Sequence, residues 1–134
     1  MINTWQPTAT SADAIDLELL QHFAQLGSSI LQHPTELQTL VNNKQQTQAQ
    51  SWLRLPEEAW QHSIEQLPKA HLFPLAVFFT LAEMQLSGWQ CGAKNPAIWL
   101  FRWLRKHQQQ PSKEEIQALK KLTDNRFIPY GSVL

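Results

Sequence analysis

A chain of 134 residues that holds one cysteine, one tyrosine, two methionines and four glycines excludes much by what it lacks. With Cys91 alone no internal disulfide can form, which suits a reducing cytoplasm, the compartment expected here. No long apolar run is present. The longest, from Leu72 to Ala82, is about half of the roughly 20 residues that a membrane-spanning helix needs, so it reads as a buried core helix. Met1 to Thr10 lacks a basic stretch followed by an apolar one, so no signal peptide is expected. Isoleucine and valine are sparse beside leucine, alanine and glutamine. Strands favour β-branched and aromatic residues, whereas Leu, Ala, Gln, Glu and Lys favour helix, so the composition predicts an all-α protein.

Chemical signatures are as scarce. The glycines of Gly88-Trp89-Gln90-Cys91-Gly92-Ala93-Lys94-Asn95 are too closely spaced for a phosphate-binding loop, and no Ser or Thr follows the lysine. The five histidines show no metal-ligand spacing, and His22 and His33 do not share a helix face. Adjacent carboxylates occur as Glu57-Glu58 and Glu114-Glu115, both in expected first turns, where the helix dipole accounts for them. No cofactor, metal or catalytic constellation is therefore expected. Cys91 is the one residue on which an enzyme reading rests. It precedes a helix start and Lys94, both of which favour a thiolate.

What is present suffices for one domain. At 43% apolar, a chain of this length buries about two-thirds of its unfolded surface in a single core. A flexible lead over residues 1–10 is expected, followed by one helical domain over residues 11–134. Seventeen glutamines and 16% charged residues make its surface polar rather than strongly charged. A pI near 7 gives little colloidal repulsion and favours self-association. The zero net charge conceals a division. Residues 91–134 carry eight Lys or Arg against three acids, a balance of +5, and residues 1–90 carry three against eight, a balance of −5. Such asymmetry marks a surface that meets an acidic partner.

Five or six helices around a central apolar one are expected. The first starts at Ser11 or Asp13 and carries Ile15, Leu19, Phe23, Leu26 and Ile30 at helical spacing, until His33-Pro34 ends it. Pro34 opens a second helix with Leu37, Leu40 and Val41 on one face. The polar run from Asn42 to Ser51 has no Gly or Pro and reads as an exposed helical extension, with a flexible connection as the alternative. Pro56, Glu57 and Glu58 start a third helix bearing Trp60, Ile64 and Leu67. The central helix spans roughly Leu72 to Leu86, with Pro74 in its first turn. Asn95-Pro96 starts the next, running to about Gln109, and Ser112 with Glu115 forms a capping box for the last, ending near Asp124-Asn125. These two are expected to make a C-terminal helical hairpin. The tail beyond is rich in Phe, Ile and Tyr, so it is expected to dock through Phe127 and Ile128, with Pro129-Tyr130-Gly131 as a turn. A partner-binding peptide ending in Ser132-Val133-Leu134 is the alternative.

The candidate site lies in residues 97–107. At about 100° per residue, Ala97, Leu100, Phe101, Trp103 and Leu104 form one apolar face, and Arg102, Arg105 and Lys106 the opposite arc. Ile98 falls within that arc and Trp99 at its edge, both expected to be exposed. Lys94 and Arg126 extend the basic set, and Lys113, Lys120 and Lys121 join it if the last two helices pair. An arginine arc beside an indole suits an acidic protein groove, a nucleic acid or a membrane interface, and the plain alternative is a solvated face over a core helix. The expected function is that of a small non-enzymatic interaction or regulatory adaptor binding an acidic protein partner through Lys94, Trp99, Arg102, Arg105, Lys106 and Arg126. Binding of DNA or RNA by the same helix is the first alternative, and an enzyme with Cys91 as a reactive thiol the second. The segments GWQCGAKNPAIWLFRW and TDNRFIPYG read as signature-like.

Overall fold

The computed structural model describes residues 15–30 and 37–131, which are all-helical with no strand among them. The expected features at Ser11, Asp13, His33, Pro34 and Ser132 to Leu134 lie outside the described residues. Seven α-helices are described: α1 (Leu17–Ile30), α2 (Leu37–Leu40), α3 (Asn43–Gln50), α4 (Glu57–Glu65), α5 (Leu72–Gln85), α6 (Pro96–Lys106) and α7 (Lys113–Lys120). Short 3-10 turns at Ser51–Arg54, Lys69–His71 and Gly92–Lys94 join some of them. Among the described residues no helix is long and apolar enough to cross a membrane.

The centre is α5. Its apolar residues lie all round the helix, and every residue from Leu75 to Glu83 is buried. Thr80 satisfies its hydroxyl by donating to the Ala76 carbonyl at 2.8 Å, so it does not interrupt the core. α1 packs along one side and α6 along another. Phe23 of α1 stacks on Phe78, their centroids 4.2 Å apart, and Trp60 meets the edge of Phe79 at 5.4 Å. The buried Trp60 indole donates to the Trp52 carbonyl at 3.1 Å. Aromatic rings therefore supply much of the contact between α5 and the elements that precede it.

α1 and α5 approach closely at Gly27. A Cβ on Gly27 would lie 1.9 Å from the Pro74 carbonyl oxygen, so the absence of a side chain sets the distance between the two helices. The proline contributes as well, since its ring sits in the first turn of α5, where no amide is needed.

Local signals explain most boundaries. α1 begins at Leu17, with the Asp16 carboxylate accepting from the N–H groups of Glu18 at 2.9 Å and Leu19 at 3.3 Å. The polar run is helical, α3, and is opened by a reciprocal capping box between Asn42 and Gln45. The Ser112–Glu115 box stands at the start of α7 as expected. α6 ends three residues earlier than expected. Gln108 adopts a left-handed conformation (φ 59°), while Gln109 N–H donates to Leu104 and Gln108 N–H to Arg105. That is a Schellman termination with glutamine where glycine is usual, so nothing in the residue types announced it.

The expected C-terminal hairpin is loose. α7 makes little contact with α6 and buries Leu119, with Ile116 half-buried. The tail is docked: Ile128 is buried, and Phe127 and Tyr130 pack on the core.

Candidate functional site

The C-terminal unit is held to α5 by one buried carboxylate. Glu83, in the last turn of α5, is 7% exposed. Its Oε2 accepts from the N–H groups of Cys91 at 2.8 Å and Gly92 at 2.7 Å. Its Oε1 accepts from the side-chain amides of Asn95 at 3.1 Å and Asn125 at 2.7 Å. All four donors are neutral, and among the described residues no cation lies within ion-pair distance of Glu83. A buried charge is tolerated only when its lone pairs are filled, and here they are.

Both asparagines serve a second purpose. Asn95 caps α6 by accepting from Ala97 N–H at 2.8 Å, and its amide also donates to the Phe79 carbonyl at 3.3 Å. Asn125 accepts from Phe127 N–H at 2.9 Å and donates to the Gly92 carbonyl at 2.9 Å. The two signature-like segments therefore meet at Glu83, which joins the loop, the start of α6 and the start of the tail. The sequence reading missed Glu83. The available signal was a lone carboxylate inside an otherwise apolar helix.

From Asn125 the tail runs along α6 over the arc predicted to be free. Arg102 Nε donates to the Tyr130 carbonyl at 3.0 Å, and Arg102 Nη1 to Glu57 of α4 at 3.1 Å. The Arg105 guanidinium lies 3.9 Å from the centre of the Tyr130 ring. Lys120 of α7 donates to the Ile128 carbonyl at 2.8 Å. Gly131 (φ 88°) is pressed so closely that a Cβ would lie 2.5 Å from an Arg102 nitrogen and 3.4 Å from Ile98 Cγ2. Ile98, expected to be exposed, is therefore fully buried. A helical wheel shows one helix and cannot show what crosses it.

The six predicted contact residues are thus divided. Arg102 and Arg105 hold the tail. Lys106 shares with Arg102 a recess of about 200 Å³ that Glu57, Gln61, Glu65 and His107 also line. Lys94 and Arg126 are exposed near the Asn125–Gly92 hydrogen bond. Trp99 is half-buried, its ring 5.3 Å from the Arg102 guanidinium and its Nε1 enclosed without a partner among the described residues. Lys120 turns to the tail instead of joining a surface shared with α6.

A second, larger cavity of about 450 Å³ opens where α5 ends. Met84, Gln90, Asp124, Arg126 and Phe127 line it, with Glu83 at its wall. Among the described residues no group of three or more His, Cys, Asp or Glu is placed to hold a metal ion.

The surroundings of Cys91 do not favour its thiolate. Burial, and then the Glu83 carboxylate, push its thiol up to about 12. Its N–H points at that carboxylate, and Asn95 already caps α6, so the helix start offers the sulfur little stabilisation. Alkylation of Cys91 by iodoacetamide at pH 8 is expected to run about a thousandfold slower than that of an ordinary exposed thiol, in proportion to its thiolate fraction. Alkylation of the folded protein at the ordinary rate would refute the shielding. Because the thiol is raised on folding, its stabilising contribution is intact below about pH 9 and is lost as pH rises towards 12.

No protein-family model matches this chain, nor does any curated protein or solved structure.

Proposed function

We propose that the protein is a small non-enzymatic interaction protein that binds an acidic surface of a protein partner through its C-terminal unit, residues 91–131. One observation carries this reading. Lys94, Arg105, Lys106 and Arg126 are exposed, and none of them forms an ion pair among the described residues. Exposed and unpaired cations steer and select acidic partners. The half-buried Trp99, with Arg102 against it, is poorly placed to stack on a base, which favours protein over nucleic acid. The raised Cys91 thiol weighs against thiol catalysis.

Affinity capture from lysate with and without nuclease treatment, with the wild type beside a Lys94→Glu, Arg105→Glu, Arg126→Glu triple variant, tests the reading. A protein retained by the wild type is then purified, and its affinity for both forms is measured. Reversing three rim charges is expected to weaken that affinity by about tenfold or more, with a steep salt dependence. Equal affinity for the two forms would remove the basic unit from the interaction. Retention that vanishes with nuclease would hand the site to nucleic acid.

A further inference from the structure

We infer that the strap Pro129–Gly131 is a built-in competitor for the basic arc, and that its seat on α6 takes in exchange an acidic partner segment carrying an aromatic ring. This rests on the acidic-partner reading above and names both the chemistry of the segment and what controls its access.

The seat already displays the recognition it would offer. The Arg105 guanidinium holds an aromatic face at 3.9 Å, and Arg102 Nε holds an acceptor oxygen 3.0 Å away. Both strap groups are neutral: a carbonyl and a phenol ring. The bond from Arg102 to the strap carbonyl is already charge-assisted through the guanidinium, and a carboxylate in the carbonyl's place adds a second full negative charge to the one that Glu57 supplies at 3.1 Å. An aromatic residue beside it keeps the cation–π contact with Arg105. Such a segment keeps both kinds of strap contact and adds charge attraction at Arg105, which forms no ion pair among the described residues.

The strap is also built to leave alone. Its root is fixed by Asn125 on Glu83 and by the buried Ile128, whereas Pro129, Tyr130 and Gly131 are each only half-buried. Peeling beyond Ile128 gives up the Gly131 N–H bond to the Phe127 carbonyl and the packing of Tyr130, and in exchange opens Ile98 and Arg102 beside the already exposed Arg105 while Ile128 stays buried. Exchange adds an apolar contact, at Ile98, to the two arginines.

Tyr130 is the single tyrosine of the chain, so its ring signals report on the strap directly. The test uses the full chain at low salt with two labelled, end-capped peptides, Glu-Glu-Phe-Glu-Glu and Glu-Glu-Ala-Glu-Glu, followed by fluorescence anisotropy and proton NMR. Wild type is expected to prefer the Phe peptide, and its Tyr130 ring signals are expected to move towards those of free tyrosine as that peptide saturates. Opening the seat by Tyr130→Ala, or by Gly131→Val with the ring retained, is expected to tighten binding of the Phe peptide about fivefold or more. Tyr130→Phe is expected to match wild type. If the peptides bind while the Tyr130 signals stay in place, or if neither opened variant binds more tightly, the competitor inference fails and the basic-surface reading stands. Binding of neither peptide by any form, together with equal partner affinity of the charge-reversed variant, removes both.

Discussion

Glu83→Ala is expected to lower the unfolding free energy by about 3–5 kcal/mol, because it strands several buried neutral donors at about 1–3 kcal/mol each, less what water recovers. The loss comes from the donors left behind more than from the carboxylate itself. The N–H groups of Cys91 and Gly92 and the amides of Asn95 and Asn125 all point at the vacated space. Glu83→Gln is expected to fall short of rescue. One carboxamide oxygen replaces one carboxylate oxygen, but the NH2 group then faces two donors. Urea unfolding curves for the three forms measure this, with the slope expected to change little. A midpoint for Glu83→Ala within experimental spread of wild type would mean that the donors find water at little penalty, and that the carboxylate does not hold the unit together.

Gly27→Ala is expected to destabilise by about 2–4 kcal/mol, although alanine is the better helix former by about 1 kcal/mol. Two effects of opposite sign compete, and geometry decides between them. A Cβ 1.9 Å from a backbone oxygen cannot be absorbed by rotating a side chain, because the obstacle is the Pro74 carbonyl. α1 must then move away from α5 across the aromatic contact between Phe23 and Phe78. Ser28→Ala, one residue on at an exposed site, provides the control and is expected to be neutral or slightly stabilising. Thermal melts compare the two. A Gly27→Ala protein melting at or above the wild-type temperature would show that the interface yields.

Whatever repeats along a helix or sits at its start was legible in the sequence. The apolar run of α5, the Asn95-Pro96 start of α6 and the Ser112–Glu115 box each depend on neighbours within four residues, and each stands where expected. The docking of Phe127 and Ile128 was legible too, because apolar side chains in an otherwise polar tail need cover. Contacts between distant residues were hidden. Glu83 meets Asn125 across 42 positions, and Arg102 meets Tyr130 across 28. No periodicity encodes such pairs, so the arginine arc read as open surface when its nearest neighbour is the chain's own tail. The early end of α6 was hidden for a different reason: Gln108 takes a conformation that residue type alone would assign to glycine.

The burial of α5 from Leu75 to Glu83 bears on how this protein can be divided for experiment. The acidic and basic parts look separable as a charge pattern, and a cut near residue 90 would fall in a loop. Yet both parts rest on the same helix, and that helix belongs to the acidic side of the cut. A peptide covering only residues 91–131 would present Ala97, Leu100, Phe101 and Leu104 to water, all of them buried in the intact chain. It would also release Asn95 and Asn125 from the carboxylate that holds them. Such a fragment is expected to aggregate or unfold, so binding studies on it would report exposed hydrophobic surface instead of the native arc. Point substitutions in the whole chain are the way to take this surface apart.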